Sequence, residues 1–161
     1  GHTAGLCVLE FDESEGTQAF VGDALLPVYT PNVGGADVRV DRPLQHYLRT
    51  LERIEDRDYE MAWPGHRDPI DTPSARAREI REHHYERTER VVAVLRKHGP
   101  VDAWTFSAHL FGELEGIHIM HGPGEAFAHL DHLVHAGVVT AEDGRYALEP
   151  DADERIAALW T

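Results

Sequence analysis

Three short motifs that place a glycine beside a histidine or an aspartate most constrain what this chain can fold into. Each lies next to an apolar, strand-like run, and they are Gly1-His2-Thr3, Phe20-Val21-Gly22-Asp23 and Trp63-Pro64-Gly65-His66. Glycine lets a backbone turn sharply and pass close to a bound group. Imidazole and carboxylate are ligands for zinc and for harder divalent metals. We therefore predict that His2, Asp23 and His66 converge on a metal site.

The composition indicates one ordinary domain or two small ones and excludes several classes of protein. Hydrophobic residues make up 42% of the 161 residues, which is enough for a core. The formal net charge is −14, and such a surface repels nucleic acid and anionic membranes. It suits a protein in high salt, where self-repulsion is screened, and equally an acidic cytosolic protein. We predict a cytoplasmic protein without a DNA or membrane partner, since no apolar stretch could cross a membrane.

The ends and the single cysteine give two further expectations. Cys7 is the only cysteine, so neither an intrachain disulfide nor a cysteine-based zinc site can form. The chain has no initiator methionine and no signal peptide. We therefore expect that it starts inside something longer, was processed, or was built as a fragment.

Hydrophobic periodicity in the first half predicts a strand hairpin, a long loop, a helix and a third strand. The hairpin strands are predicted at residues 6–11 and 18–21 and the long loop at residues 25–40. The helix is predicted at residues 43–54 and the third strand at residues 58–63. Loops of this length are often functional. The part from Tyr29 to Asp37 either lines a substrate cleft or is a plain crossover.

The second half is predicted to begin with a long polar helix. Thr72 can cap it with Pro73 at its first position, and it continues to about residue 97. A helix of this character suits a bridge between two domains. Its arginines between Arg76 and Arg90 are interleaved with glutamates, which favours ion pairs at i,i+3 and i,i+4 within the helix.

After Gly99-Pro100 the pattern predicts two helices, a hairpin around Asp143-Gly144 and a last helix. The three helices are predicted at residues 104–114, 125–135 and 151–160. This order is typical of a winged helix. The remaining histidines are expected to be solvated or in loops rather than metal ligands: His83, His84, His118, His121, His129, His132 and His135.

The three opening motifs resemble those of the metallo-β-lactamase superfamily, in order and in spacing. The matching residues are Gly1-His2-Thr3-Ala4-Gly5, Phe20-Val21-Gly22-Asp23 and Pro64-Gly65-His66. The resemblance implies a dinuclear zinc centre in which His2 binds one metal and His66 binds the second. Asp23 would bridge both metals and is the predicted catalytic residue.

Two departures from that superfamily suggest an incomplete site. The His-x-His-x-Asp-His motif of the superfamily is absent from this sequence, which removes three histidine ligands and an aspartate. Leu6 stands where many relatives have a histidine, and it can neither donate nor accept a hydrogen bond. The resemblance therefore implies a fragment that is inactive alone.

The implied fold is α/β, half of an αββα metallo-β-lactamase sandwich over residues 1–90, followed by a mostly α winged-helix domain over residues 91–161. The intact protein would hydrolyse an ester, thioester or phosphodiester in a small-molecule or RNA-like substrate. The tail resembles the LACTB-type branch, through its winged-helix order and the bridging-helix residues Arg78, Arg81, Glu82 and Arg87.

Two alternatives belong to other classes of protein. The exposed half of a sandwich could serve as a non-catalytic interaction module and could form a homodimer. A winged-helix regulator would instead bind DNA. The helix that would enter DNA carries Glu125 and Asp131 and neither arginine nor lysine, and phosphate contacts need cations. We therefore reject DNA binding as the main function.

Overall fold

The structure is a computed structural model that describes residues 2–35, 40–112 and 118–159, and for 118–121 the backbone alone. Predictions for Gly1, Asp37, Leu114 and Trp160, and for the side chains of His118 and His121, lie outside these residues. The chain divides into two compact units, Gly1–Val33 with Pro43–Tyr85 and Gly34–Arg42 with Glu86–Thr161. The division within the long helix thus falls between Tyr85 and Glu86.

The first unit contains a three-stranded sheet in the order β1-β2-β3. Strands β1 (Leu9–Glu13) and β2 (Gly16–Gly22) form the predicted antiparallel hairpin, although β1 begins later than expected. Strand β3 (Met61–Pro64) pairs parallel to β2. Because parallel neighbours need a crossover, the loop after β2 and the helix that follows connect them.

The two faces of this sheet differ sharply. On one face Ala19, Val21 and Ala62 are fully buried. The pairing of Leu9 with Phe20 and of Phe20 with Trp63 places these three side chains together on the opposite face. They are 63%, 52% and 37% exposed, respectively. The sheet therefore has one covered face and one bare, apolar face.

Helix α1 (Pro43–Arg57) confirms the helix predicted from hydrophobic periodicity. Its stripe is buried, with Leu44, Tyr47, Leu48, Leu51 and Ile54 each at most 8% exposed. The Tyr47 hydroxyl donates a 3.0 Å hydrogen bond to the Ala24 carbonyl. Burial raises the pKa of Tyr47 far above its usual value, an effect that the charge of Arg76 only partly offsets. Tyr47 thus stays neutral and fixes the chain directly after Asp23.

Helix α2 (Pro73–His98) is confirmed, but Arg78, Arg81 and Arg87 pair differently from the prediction, Arg87 with Glu125. Arg76 does pair within the helix, with Glu79 at i,i+3. Arg78 and Arg81 instead bind Glu55 of α1, at 2.9 and 2.7 Å. Partial burial alone would raise the pKa of Glu55, but the hydrogen bonds and charges of these two arginines lower it. For these three arginines the prediction was wrong because spacing along one helix says nothing about a neighbouring helix.

The second unit contains a small sheet in the order β4-β6-β5, and the predicted hairpin is confirmed. Asp143 and Gly144 have φ of 51° and 74°, the positive values that a tight hairpin turn requires. The elements are β4 (Val101–Asp102), α3 (Ala103–Phe111), α4 (His118–His135), β5 (Val139–Glu142), β6 (Arg145–Leu148) and α5 (Ala152–Leu159). The fully buried members of its core include Val91, Phe106, Leu130, Leu133 and Val138.

Helix α4 begins at His118 rather than at Glu125, so the prediction of a loop over His118 and His121 was wrong. Gly122-Pro123-Gly124 resembles a helix break but lies inside the helix. A Cβ on Gly124 would lie 2.4 Å from Gly35 Cα and 2.8 Å from Gly34 O. This glycine therefore permits a close approach of two backbone segments, which a local sequence pattern cannot reveal.

Two histidines expected to be solvated are completely buried. His84 packs edge-on against the Tyr47 ring, with centroids 5.5 Å apart. His129 lies with Nδ1 3.0 Å from the Thr88 hydroxyl. His132 is half-buried, and burial together with the charge of His135 lowers its pKa. The expectation failed for His84 and His129 because both sit on helix faces that tertiary packing covers.

In the described helices, none is both long and apolar enough to cross a membrane.

Candidate metal centre

The parallel pairing of β2 and β3 brings two of the three predicted ligands together. Asp23 follows the last residue of β2, and His66 lies two residues beyond β3. The Gly65 amide donates a 3.0 Å hydrogen bond to the Gly22 carbonyl, which locks the two strand ends side by side. His66 Nε2 is 3.5 Å from Asp23 Oδ2. An imidazole nitrogen and a carboxylate oxygen are thus adjacent at one edge of the sheet.

An irregularity in β2 lies directly before this pair. Phe20 is opposite Trp63, and the next paired residues are Gly22 and Pro64. Two residues on β2 therefore occupy the space of one on β3, as in a β-bulge. Bulges re-aim the following side chain and are common beside functional sites. Here the bulge sets the direction in which the chain presents Asp23.

Gly65 leaves the space that the Asp23 carboxylate occupies. A Cβ on Gly65 would lie 2.5 Å from Asp23 Oδ1, a distance that no side chain tolerates without movement. A glycine at this position therefore lets the carboxylate keep the position it has in the structure. This is the physical basis for the glycine in the third motif, as the sequence suggested for glycine near a bound group.

His2 lies apart from this pair, oriented by a backbone carbonyl. Its Nδ1 is 2.6 Å from the Asn32 carbonyl oxygen, so Nδ1 carries the proton and donates. Nε2 then has the lone pair, which is how ligating histidines are usually oriented. In the described part of the chain, the ligand atoms of His2, Asp23 and His66 do not all lie within 4.8 Å of one another. Metal binding by these residues stays a prediction.

Leu6, the departure noted in the sequence, lies over the end of β2. A Cβ on Gly22 would be 3.7 Å from Leu6 Cδ1, an ordinary van der Waals distance. The side chain therefore contributes apolar packing beside Asp23 and no hydrogen bond. Asp23, His66 and the oriented imidazole of His2 offer the donor types that divalent metals bind, and their joint use as ligands stays a prediction.

The sequence did not single out the residues that border this pair. Arg67 directly follows His66, and its Nη2 lies 3.2 Å from the Tyr29 hydroxyl. Arg76 of α2 donates to the carbonyls of Leu26 and Tyr29, at 2.7 and 3.1 Å. Tyr29 belongs to the loop predicted either to line a substrate cleft or to be a plain crossover, and it contacts Arg67, the residue after His66. In the sequence, the only sign that these residues lie near the candidate site was the position of Arg67 directly after His66.

Two solved structures are among those that are similar to this chain. A metallo-β-lactamase family protein from Thermus thermophilus matches with a TM-score of 0.71 and 35% identity over 82% of this chain. A β-lactamase domain protein from Burkholderia ambifaria matches with a TM-score of 0.73 and 33% identity over 89% of this chain. No protein-family model and no curated protein sequence matches the chain.

These matches indicate the class of protein to which the chain is similar. The chain is a mixed α/β protein that resembles part of a metallo-β-lactamase fold, and it spans 42% and 43% of the two solved chains. At 33–35% identity, the likeness supports the metallo-β-lactamase superfamily.

Proposed function

We propose that this chain carries part of the active site of a metal-dependent hydrolase of the metallo-β-lactamase superfamily. Its substrate would be an ester, a thioester or a phosphodiester in a small-molecule or RNA-like compound. The observation that carries the proposal is the adjacency of Asp23 and His66, 3.5 Å apart at the ends of two parallel strands. In this proposal Asp23 would be a ligand shared by two zinc ions, and His2 and His66 would each hold one of them.

The roles of the chain's own groups follow from their chemistry. Two divalent cations, when bound, polarise the scissile group and lower the pKa of water. Asp23 would hold its carboxylate in the space that Gly65 leaves, with Tyr47 fixing the adjacent backbone through the Ala24 carbonyl. The Asn32 carbonyl would hold the His2 ring with Nε2 directed to a ligand. These contacts supply positioning, which metal sites need from their surroundings.

The proposed site needs ligands that this sequence does not contain. The His-x-His-x-Asp-His motif is absent, so three groups remain for two ions. We propose that the chain alone is inactive. We also propose that the second unit is a winged helix of the LACTB-type branch and that the protein is cytoplasmic. The element order α3, α4, β5, β6 supports the winged helix.

Metal content tests the hydrolase proposal. After equilibration with zinc, the chain alone should hold fewer than two ions. A hybrid that places the unmatched part of the Burkholderia relative before this chain should hold about two ions, as a dinuclear site requires. Asp23→Asn should reduce the metal content of the hybrid, because the bridging carboxylate is lost, and the measurement is elemental analysis.

The matched control is His46→Asn, which changes an exposed histidine on α1. It should leave the metal content of the hybrid unchanged. A folded hybrid that binds no divalent metal would exclude the hydrolase proposal. Equal metal content in the hybrid and in its Asp23→Asn variant would exclude the assignment of Asp23.

A second candidate function is a non-catalytic interaction module, and the bare face of the first sheet favours it. Phe11 stacks on Phe20 with ring centroids 5.1 Å apart, and Phe20 lies 6.5 Å from Trp63. These rings form an aromatic cluster that remains partly exposed to water. Clustered exposed apolar side chains mark surfaces that bind another protein. Under this candidate the occupant is a second copy of the chain, giving a homodimer.

Self-association tests this second candidate. The chain should dimerise in sedimentation equilibrium, and Phe20→Ser should shift it toward monomer because the aromatic cluster is broken. Trp104→Ser is the control, since Trp104 is 66% exposed but lies on α3, outside the cluster. A monomer at high concentration, or an equal effect of both variants, would contradict the interaction module.

A further inference from the structure

Arg67 has a backbone conformation that an arginine rarely adopts. Its φ is 72°, in the left-handed region where a side chain clashes with the following carbonyl. Arg42, Asp58 and Asp143 also have positive φ, and Arg42 forms an ion pair with Asp41. Aspartate tolerates this region through local hydrogen bonds. Arginine has no such compensation. A strained residue beside a candidate site is a reason to look for a function in its side chain.

The side chain of Arg67 is held by an aromatic residue rather than by a carboxylate. Its Nη2 lies 3.2 Å from the Tyr29 hydroxyl, and its guanidinium carbon lies 5.5 Å from the centre of the Tyr29 ring. In the described part of the chain, Arg67 makes no ion pair, whereas Arg76 and Arg78 both bind glutamates. The positive charge of Arg67 is thus oriented but not neutralised.

The Tyr29 ring forms a platform under Arg67, and the fold holds this platform in place. Arg76 is only 11% exposed and donates to the carbonyls of Leu26 and Tyr29. This holds the backbone of the loop at Tyr29 against α2. Because the Tyr29 ring already orients the guanidinium, the side chain loses less conformational entropy when it binds a ligand. Val28 and Tyr29 are 66% and 55% exposed, so they add an apolar surface next to the charge.

We propose that Arg67 is a substrate-binding residue that recognises an anionic group, a carboxylate or a phosphate, on the compound hydrolysed at Asp23 and His66. Planar guanidinium donors match both anions in a two-pronged geometry. Arg67 follows His66 directly in the chain, which is the observation that relates it to the candidate metal centre. In a chain with a net charge of −14, an oriented cation is needed to bring an anionic substrate to this edge of the sheet.

The test measures anion binding by the chain itself with a chelator present, so that it does not depend on metal. Benzoate and phenyl phosphate represent the two anions, and benzamide is the neutral match. Nuclear magnetic resonance should show saturable shifts of the Arg67 Nε–H and Tyr29 ring signals with at least one anion and none with benzamide. The stronger of the two anions identifies the group.

Variants separate a binding role from a structural one. Arg67→Gly should weaken anion binding at least 10-fold while the melting temperature stays equal or rises, because glycine adopts positive φ without strain. Arg67→Lys should keep part of the binding. Arg49→Gln, at an exposed position on α1, should change nothing. Absence of saturable binding, or equal affinity in wild type and Arg67→Gly, would overturn the proposal.

The inference depends on the proposed hydrolase function, but the two can fail separately. Metal titration without the aromatic probes reports on Asp23 and His66, whereas anion titration with chelator reports on Arg67. Metal binding without anion binding would remove Arg67 from substrate recognition and leave the hydrolase proposal in place. Anion binding by a hybrid that holds no metal would remove the hydrolase proposal and leave an anion site.

Discussion

Gly124→Ala should lower the free energy of unfolding by about 3 kcal/mol, the upper end of the typical range for overpacking substitutions. In an ordinary helix the same change stabilises, by roughly 1 kcal/mol. Here the added methyl group would lie 2.4 Å from Gly35 Cα and 2.8 Å from Gly34 O. Backbone atoms cannot swing aside as side chains do. Either α4 or the segment at Gly34 must therefore shift.

Urea unfolding followed by circular dichroism measures this effect. Gly144→Ala is the matched control, since its Cβ would meet nothing within 4 Å and would carry only the strain of a positive φ. We expect that control to cost about 1 kcal/mol. Equal stability of the two variants would show that Gly124 is not in close contact with Gly34 and Gly35.

Gly65→Ala should act on the site rather than on stability. The new methyl group would lie 2.5 Å from Asp23 Oδ1, and the other near contact is 3.5 Å from the Gly22 carbonyl carbon. A carboxylate is the free end of a side chain, so it can rotate away at low cost to the fold. The Asp23 carboxylate would then no longer point toward the proposed metal site. We expect divalent metal affinity to fall by roughly 10- to 100-fold, as when the groups that orient a ligand are changed.

Zinc titration of the hybrid described above, with and without Gly65→Ala, measures this loss. The melting temperature of the same two proteins should differ little, which separates misdirection of Asp23 from unfolding. Gly144→Ala should leave zinc affinity unchanged, because it lies in a hairpin of the second unit. Unchanged affinity in Gly65→Ala would mean that the carboxylate position seen here is not the one that binds metal.

The elements that local pattern alone specifies were predicted well. The α1 stripe repeats every three to four residues from Leu44 to Ile54, and all of its members are buried. The Asp143-Gly144 hairpin follows from the backbone angles that those two residues permit. The adjacency of Asp23 and His66 also agrees with the motifs, since both glycines lie where the strand ends touch.

The predictions that failed concern features that depend on which residues become neighbours in the folded chain. His84 and His129 carry no mark in sequence that distinguishes them from exposed histidines, and packing alone buries them. Arg78 and Arg81 have glutamates within one turn of their own helix, yet bind Glu55 of α1. The positive φ of Arg67 is likewise invisible in sequence, since arginine is a poor predictor of such a conformation.

The crossover between β2 and β3 has a kinetic consequence. Asp23 lies at the start of the crossover and His66 just beyond its end, so the two side chains meet only after β3 has paired with β2. The hairpin of β1 and β2 is local and can form early, whereas contacts distant in sequence form slowly because a long loop must close first. We therefore expect the hairpin that ends beside Asp23 to form before His66 reaches Asp23. Metal binding by Asp23 and His66 during refolding would therefore show when β3 has paired with β2.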